Sequence, residues 1–244
     1  MIEITKRGRL GNNIFQNVAA AMFSKKFDLK VKDYLQFESM EILGFKFPSG
    51  TKSFDNEEIL VNDNNYVSLF EKKEIDCGLK FNGIFSNHIP EFIKNHKEEI
   101  LSNFDLTYGE PNNDLLVHVR LGDLTRCNPG LEYYCKVIES LTYDKGYITT
   151  DEPDNELILA LIKKYNLNLC KLRPANTIAY GKNFNNLILS KSTFSWWMAF
   201  LSKAENIIYP SYENYEGEEK NLWGTPALML FRINNRWKGV SVTN

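Results

Sequence analysis

Residues 118–123 read HVRLGD and include three side chains of the kinds that take part in catalysis, His118, Arg120 and Asp123. They overlap the end of an apolar run, 115–119, that is typical of a buried strand. An arginine at the carboxyl end of such a strand can hold a diphosphate with both arms of its guanidinium group. There it would stabilise the negative charge that develops on a departing phosphate. The structural alternative pairs Arg120 with Asp123 and satisfies His118 through a neighbour, but the position at a strand end favours function.

Residues 8–13, GRLGNN, form a second candidate. They separate Ile2 and Ile4, which alternate with polar residues as in a short strand, from apolar residues at helical spacing. Glycines at this point let backbone N–H groups approach a ligand, and a helix start adds a positive partial charge suited to a phosphate or a sugar ring. The alternative is a tight turn that needs glycine for its dihedral angles, with Asn12 or Asn13 as the helix cap.

Two further segments each lie between a predicted strand and a predicted helix. Residues 149–152, TTDE, include Asp151, which either caps the following helix or reaches the ribose or base of a nucleotide. Residues 190–197, SKSTFSWW, place hydroxyl groups around a helix start, where they cap the helix or donate hydrogen bonds to phosphate oxygens. The two tryptophans favour packing of that helix on a sheet. Neither segment alone distinguishes ligand binding from capping.

The elements that must position these residues alternate between strands and helices in the second half of the chain. The pattern predicts strands at 115–119, 147–149, 167–172 and 207–209, and helices at 131–141, 151–165 and 193–203. Such alternation indicates a parallel sheet with helices on both faces, which binds ligands beyond the carboxyl ends of its strands. We therefore predict an α/β fold whose second half is a Rossmann-like domain.

The first half of the chain is less regular. The pattern predicts a strand at 81–85 and a helix at 89–104, whereas residues 29–79 indicate only short mixed elements. Residues 109–114, GEPNND, have the composition of a linker. The predicted domains are therefore 1–110, which carries the glycine loop, and 111–244.

Bulk composition excludes several classes of protein. The 29 basic and 31 acidic residues give a formal charge of −2, which argues against nucleic acid or an anionic membrane as a general partner. The N-terminal segment lacks the apolar core of a signal peptide, and no stretch approaches the roughly 20 apolar residues needed to cross a bilayer. We expect a cytoplasmic protein without a transmembrane segment, with peripheral membrane association as an open alternative.

The cysteines show no pairing or spacing typical of a zinc site; they are Cys77, Cys127, Cys135 and Cys170. A disulfide framework is not expected in a chain of this length with so few cysteines. We predict free thiols, with a single disulfide as the alternative. No DxD motif is present that would hold a divalent cation on a diphosphate, so we predict no metal site.

Taken in chain order, these segments resemble the α-1,2-fucosyltransferases of glycosyltransferase family 11. That family carries a GGLGNQxFQ-like opening, an HxRRGD-like motif, an SDD-like turn and an STFSWW motif. Here the corresponding stretches are 8–16 (GRLGNNIFQ), 118–123 (HVRLGD), 150–152 (TDE) and 192–197 (STFSWW). Residues 81–86, FNGIFS, are also similar to an aromatic-rich family segment. The resemblance covers most of the chain, from residue 8 to about residue 210.

The resemblance implies a glycosyltransferase-B-like architecture, in which two Rossmann-like domains face a cleft, the N-terminal one being reduced here. It implies transfer of L-fucose from GDP-fucose to a hydroxyl of a glycan acceptor, α-1,2 to a galactose-type sugar, with inversion and without a metal ion or cofactor. Arg120 would contact the diphosphate, and Gly11 and Asn12 would face it from the other domain. The remaining donor-site residues would be Asp151, Glu152, Ser192, Thr193 and Ser195. Asp123 and His118 are candidates for the group that accepts the acceptor's proton.

Three positions depart from the family pattern. Leu121 stands where a second arginine is usual, Glu152 where an aspartate is usual and Met198 where a glycine is usual. Because Leu121 removes a possible donor to phosphate or guanine, the identity of the donor sugar stays open. The alternatives are a transferase on the same scaffold that uses another nucleotide sugar or a peptide acceptor, and a non-catalytic glycan- or nucleotide-binding protein.

Overall fold

The chain forms two α/β units, each with its own parallel sheet. The computed structural model describes residues 1–54, 57–84, 90–110, 112–123, 128–211 and 234–242. The first unit takes in Met1–Leu106, and the second begins at Thr107. The predicted α/β class is confirmed. The sheets have three and six strands, and their parallel pairing is compatible with a Rossmann-like fold.

The first unit has a three-stranded sheet in the order β1-β3-β2, and both strand pairs are parallel. Its strands are β1 (Ile2–Ile4), β2 (Glu58–Val61) and β3 (Gly78–Phe81). Its helices are α1 (Leu10–Phe27), α2 (Phe37–Ile42), α3 (Tyr66–Phe70), α4 (Pro90–Asn95) and α5 (Lys97–Leu101). The strand predicted at 81–85 is displaced, because β3 ends at Phe81 and residues 85–89 lie outside the described part.

Helix α1 is the centre of this unit's core. Phe23, in the C-terminal half of the helix, is fully buried. The centroid of its ring lies 5.2–5.5 Å from those of four aromatic residues, Phe27, Tyr66, Phe70 and Phe81. Apolar residues at helical spacing predicted one buried face, but α1 is buried around most of its circumference. The alternative in which Asn12 or Asn13 caps the helix is wrong, since Arg9 is the N-cap and both asparagines lie inside the first turn.

The second unit has a six-stranded sheet in the order β6-β5-β4-β7-β8-β9, and all five strand pairs are parallel. Its strands are β4 (Leu115–Val119), β5 (Gly146–Thr150), β6 (Asn168–Leu169), β7 (Asn186–Ile188), β8 (Asn206–Ser211) and β9 (Trp237–Ser241). Its helices are α6 (Gly130–Glu139), α7 (Glu156–Tyr165), α8 (Pro174–Gly181) and α9 (Thr193–Phe200).

Strand β4 lies between two helical layers, and all five of its residues are buried. Side chains on one face, such as Val117, join a hydrophobic cluster with residues of α6 and α7. On the other face, Leu116 lies against α8, where a Cβ at Gly181 would come within 3.0 Å of it. The same Cβ would lie 2.1 Å from Sδ of Met198 on α9, so the absence of a side chain at Gly181 makes room for that methionine. A parallel sheet covered on both faces explains the nearly continuous apolar sequence of β4.

Several elements differ from the sequence prediction. Helix α7 begins at Glu156 rather than at residue 151, because Asn155 caps it by accepting a hydrogen bond from the Leu157 N–H at 3.0 Å. Strand β6 has two residues instead of six. Elements α8, β7 and β9 were not predicted, and β9 follows the strand that was predicted at 207–209. The short β7 carries no alternation by which it could be distinguished from a helix segment.

Two further observations concern the described residues only. Cys77, Cys135 and Cys170 are free thiols, as predicted, while Cys127 lies outside the described part. No helix in the described ranges combines the length and the apolar character that crossing a membrane requires.

Candidate functional site

The strand order of the second unit defines one position at which a ligand is expected. The chain proceeds from β4 to β5 and β6 in one direction and through β7, β8 and β9 in the other. Open parallel α/β sheets bind ligands at this point of reversal, beyond the carboxyl ends of the two central strands. Those ends are Val119 of β4 and Ile188 of β7. The HVRLGD segment and the SKSTFSWW segment both lie there.

Arg120 directly follows β4, and both arms of its guanidinium group contact carboxylates. One arm lies 2.6 Å from Oδ2 of Asp151, which directly follows β5, and the other contacts Oδ1 of Asp123. The register explains the first pair, because Val119 of β4 lies opposite Thr150 of β5 and the next residues are therefore neighbours. The side chain of Arg120 is only 16% exposed, against 23% for Asp151 and 53% for Asp123.

The backbone that follows Arg120 lies in close contact with the carboxylate of Asp151. The N–H of Leu121 donates a hydrogen bond of 2.9 Å to Oδ1 of Asp151, and a Cβ at Gly122 would lie 2.5 Å from Oδ2 of that same carboxylate. A side chain at this position would therefore displace the Asp151 carboxylate, and glycine avoids this. Leu121 itself is buried in the hydrophobic cluster with α6 and α7. Leu121, which stands where the fucosyltransferases that the sequence resembles carry a second arginine, is thus a core side chain in this chain.

The structure overturns the capping interpretation of Asp151. Helix α7 is capped by Asn155, and Asp151 instead receives the Leu121 N–H and pairs with Arg120. Glu152 follows on the same turn, where its N–H donates to Oγ1 of Thr150 at 3.1 Å and the residue is exposed. The sequence predicted Asp151 and Arg120 as separate site residues, and the structure brings them into contact.

His118 lies in a buried polar cluster that spans the point of reversal. Its Nδ1 lies 2.8 Å from Oγ of Ser190 and 2.6 Å from Oγ of Ser195, and the two hydroxyl oxygens are 2.9 Å apart. The ring packs at a centroid distance of 5.1 Å from that of Phe194. The cluster therefore connects β4 to the segment after β7 and to α9. Ser190 belongs to the candidate segment 190–197 but was not among the residues assigned to the donor site, although its place at the end of an apolar run was available as a signal.

The environment of His118 keeps its imidazole neutral. Burial lowers the pKa of His118 to about 4, an effect that the negative charge of Asp151 opposes and the positive charge of Arg120 reinforces. A cation in this position would have to be desolvated inside the protein, which is costly. At neutral pH the ring is uncharged and its Nδ1 is engaged by the serine hydroxyls.

Helix α9 begins at the same edge of the sheet. Ser192 caps it, because its Oγ accepts a hydrogen bond of 3.1 Å from the Phe194 N–H. Thr193 is the first helical residue and is half-buried. Trp196 and Trp197 are almost fully buried and anchor the helix on the sheet, as predicted. The first turn of α9 thus places backbone N–H groups and hydroxyls near the end of β4. This arrangement is suited to an anion.

The glycine loop of the first unit is held by buried amides. Gly8 has φ of +68°, and a Cβ there would lie 2.2 Å from Nδ2 of Asn12, so the turn requires glycine. Asn13 Nδ2 donates to the Arg7 carbonyl at 2.9 Å, and Gln16 Nε2 donates to the Gly83 carbonyl at 3.0 Å. Both amide side chains are fully buried, whereas Asn12 is only half-buried. Gly11 is also buried within the first turn of α1.

The predicted site residues of the second unit fall into three groups, besides the exposed Glu152. Arg120 contacts both Asp123 and Asp151, His118 contacts Ser195, and Ser192 and Thr193 stand at the start of α9. Gly11 and Asn12 belong to the other unit. Within the described ranges, no three histidine, cysteine, aspartate or glutamate side chains gather as metal ligands would. Comparison with models of protein families and with curated proteins finds no match for this chain.

Proposed function

We propose that this chain is an inverting, metal-independent glycosyltransferase that moves L-fucose from GDP-fucose to a hydroxyl of a glycan acceptor, α-1,2 to a galactose-type sugar. The proposal includes a glycosyltransferase-B-like arrangement in which the second unit binds the nucleotide sugar. It joins the motif resemblance to the chemistry of the sheet edge at which those motifs meet.

The observation that carries the proposal is the position of Arg120. Arg120 directly follows the central strand β4 at the point of reversal. The first turn of α9 comes after the neighbouring strand β7. A diphosphate at this edge would meet a planar cation and a helix N-terminus together. Both prefer a dianionic oxygen group over a neutral one.

The proposed reaction is a single displacement at the anomeric carbon. The acceptor oxygen forms a bond to that carbon on the face opposite GDP while the bond to the β-phosphate oxygen breaks. GDP leaves with the bonding electron pair, so negative charge grows on the β-phosphate. Arg120 and the donors of α9 stabilise this charge more strongly in the transition state than in the bound substrate, which lowers the barrier.

The acceptor hydroxyl must lose its proton during this step. Of the two candidate bases, His118 is buried, its Nδ1 is engaged by serine hydroxyls and its pKa is low. Asp123 is 53% exposed and is the one that an acceptor can approach from solvent. We therefore assign the proton to Asp123, and we assign His118 the role of holding α9 against β4. Transfer driven by leaving-group stabilisation alone is the alternative.

Leu121 bears on the choice of donor sugar. Because Leu121 is buried in the core, the usual second arginine has no counterpart at this position. The proposal therefore assigns the diphosphate contact to Arg120. A transferase that uses another nucleotide sugar or a peptide acceptor shares every feature of this edge. Release of the nucleotide from a panel of nucleotide-sugar donors separates these possibilities.

A non-catalytic nucleotide- or glycan-binding protein is the second candidate. The pairing of Arg120 with two carboxylates is compatible with it, since a guanidinium group held in this way can bind a phosphate without stabilising a leaving group. A binding protein would take up GDP-fucose and leave it intact in the presence of every acceptor, whereas a transferase would release GDP.

Substitution of Arg120 tests the proposal. Arg120→Ala removes the cation and is expected to lower kcat/KM for transfer by about 10²–10³-fold, the cost of deleting one donor to a developing charge. Arg120→Lys keeps the charge, loses the two-point contact and is expected to retain intermediate activity. Exposed Arg173, on the connection before α8, supplies the control Arg173→Ala, which is expected to be neutral. Normal turnover of a folded Arg120→Ala variant would remove Arg120 from the mechanism.

A further inference from the structure

Both arms of the Arg120 guanidinium group are engaged by carboxylates of the protein itself. Asp151 contacts one arm of the guanidinium group and Asp123 the other, so one positive charge faces two negative charges. The local charge of these three side chains is therefore −1. An anion that approached this arrangement would meet repulsion from the carboxylates before it met the cation.

The two carboxylates differ in exposure and in their backbone surroundings. Asp151 also receives the Leu121 N–H at 2.9 Å, and the Gly122 backbone packs closely against it. Asp123 lies in the short turn after β4 and its side chain is more than half exposed, at 53%. A carboxylate that is more than half exposed regains much of its hydration when an ion pair opens, so its release costs less than that of a buried carboxylate. Asp151 would instead leave a backbone N–H without its acceptor.

We propose that Asp123 competes with the anionic group of a ligand for Arg120, so that a diphosphate binds by displacing Asp123 while Asp151 keeps its hold on the other arm. This inference rests on the proposed function for the nature of the ligand. It makes Asp123 a residue that sets donor affinity. Displacement also frees the Asp123 carboxylate at the moment when the donor is in place.

The competition predicts that removal of the Asp123 charge strengthens anion binding. An exposed arginine–carboxylate pair contributes about 0.2–1 kcal/mol, so its loss as a competitor corresponds to an affinity gain of up to about fivefold. Asp123→Asn is therefore expected to bind inorganic pyrophosphate and GDP about two- to fivefold more tightly than the unaltered protein. Asp123→Ser is a second neutral variant, and a thermal melt establishes that each variant is folded.

The control must separate competition from a general change in charge. Asp154→Asn removes the same charge from the exposed connection between β5 and α7. It is expected to change pyrophosphate affinity less than Asp123→Asn does. In the Arg120→Ala background the gain from Asp123→Asn is expected to disappear, because there is no cation left to compete for. Titration calorimetry of the full chain with pyrophosphate and with GDP measures all of these affinities.

Equal affinities in Asp123→Asn and the unaltered protein would overturn the competition, as would an equal gain in Asp154→Asn or a gain that persists without Arg120. If GDP binds the unaltered protein and Asp123→Asn equally, the competition fails and the nucleotide-binding role stands. Suppose instead that Asp123→Asn tightens pyrophosphate binding but GDP binds no better than pyrophosphate. The competition for Arg120 then stands, and the proposed nucleotide-binding role loses its support. If neither ligand binds any folded variant, both proposals are overturned.

Discussion

At the scale of single residues, the candidate site is defined by the partners of its charged and hydrogen-bonding side chains. The sequence predicted the residue types and the alternative in which Arg120 pairs with Asp123. It did not predict the contact with Asp151, because that contact depends on β5 lying beside β4 in a particular register. The Ser190 and Ser195 contacts of His118 likewise depend on β7 being the other neighbour of β4.

The burial of His118 predicts a specific dependence of stability on pH. Its pKa is about 4 in the folded protein and about 6.5 when the chain is unfolded. Between these values the unfolded chain binds the extra proton, so the free energy of unfolding falls as the pH is lowered from about 7 to about 4. This residue alone is expected to contribute a loss of about 2 kcal/mol between pH 7 and pH 5.

Urea unfolding at the two pH values measures this effect. His118→Gln is expected to be less stable than the unaltered protein at pH 7 but to lose less stability on acidification. His96→Gln is the matched control, since His96 is only part-buried and its Nδ1 lies 3.1 Å from Oε2 of Glu99. An unchanged pH dependence in His118→Gln would contradict a neutral, buried His118.

At the scale of elements, the sequence was informative where a segment is long or has distinct start signals. It placed β4 at its observed bounds and the start of α9 at Thr193. It missed β7, which has three residues, and β9, which completes the sheet beside β8. For α8, the available signal was Pro174 at the first helical position. Short strands are stabilised by the neighbours that bury them, and a single sequence does not reveal those neighbours.

Two helix caps in the second unit allow a structural role to be separated from a ligand-binding one. Ser192 caps α9 at the candidate site, and Asn155 caps α7. Replacement of either by alanine is expected to lower the free energy of unfolding by about 1 kcal/mol. Only Ser192→Ala is expected also to weaken GDP binding, because the first turn of α9 faces the proposed diphosphate position.

Urea unfolding and titration calorimetry with GDP on both variants test this distinction. Equal losses of stability with no difference in GDP affinity would mean that Ser192 acts as a cap alone. That outcome would remove the start of α9 from the donor site while leaving the role of Arg120 intact.

At the scale of the whole molecule, the sequence predicted an α/β protein with a Rossmann-like second half, and the parallel six-stranded sheet is compatible with it. The first unit was harder to predict. Its sheet has three strands of three or four residues each, and its core is built by aromatic contacts between residues distant in sequence. The glycosyltransferase-B-like arrangement of the two units stays a prediction from the motif resemblance.

We propose that this chain transfers fucose from GDP-fucose without a metal. The most direct measurement is GDP release from GDP-fucose, compared with GDP-mannose and UDP-galactose, with and without galactose-terminated acceptors and with and without EDTA. We expect GDP release only with GDP-fucose and one class of acceptor, at a rate that EDTA does not change. No release from any donor by the folded protein would contradict the claim of transfer, and a strict requirement for Mg²⁺ or Mn²⁺ would contradict the claim of metal independence.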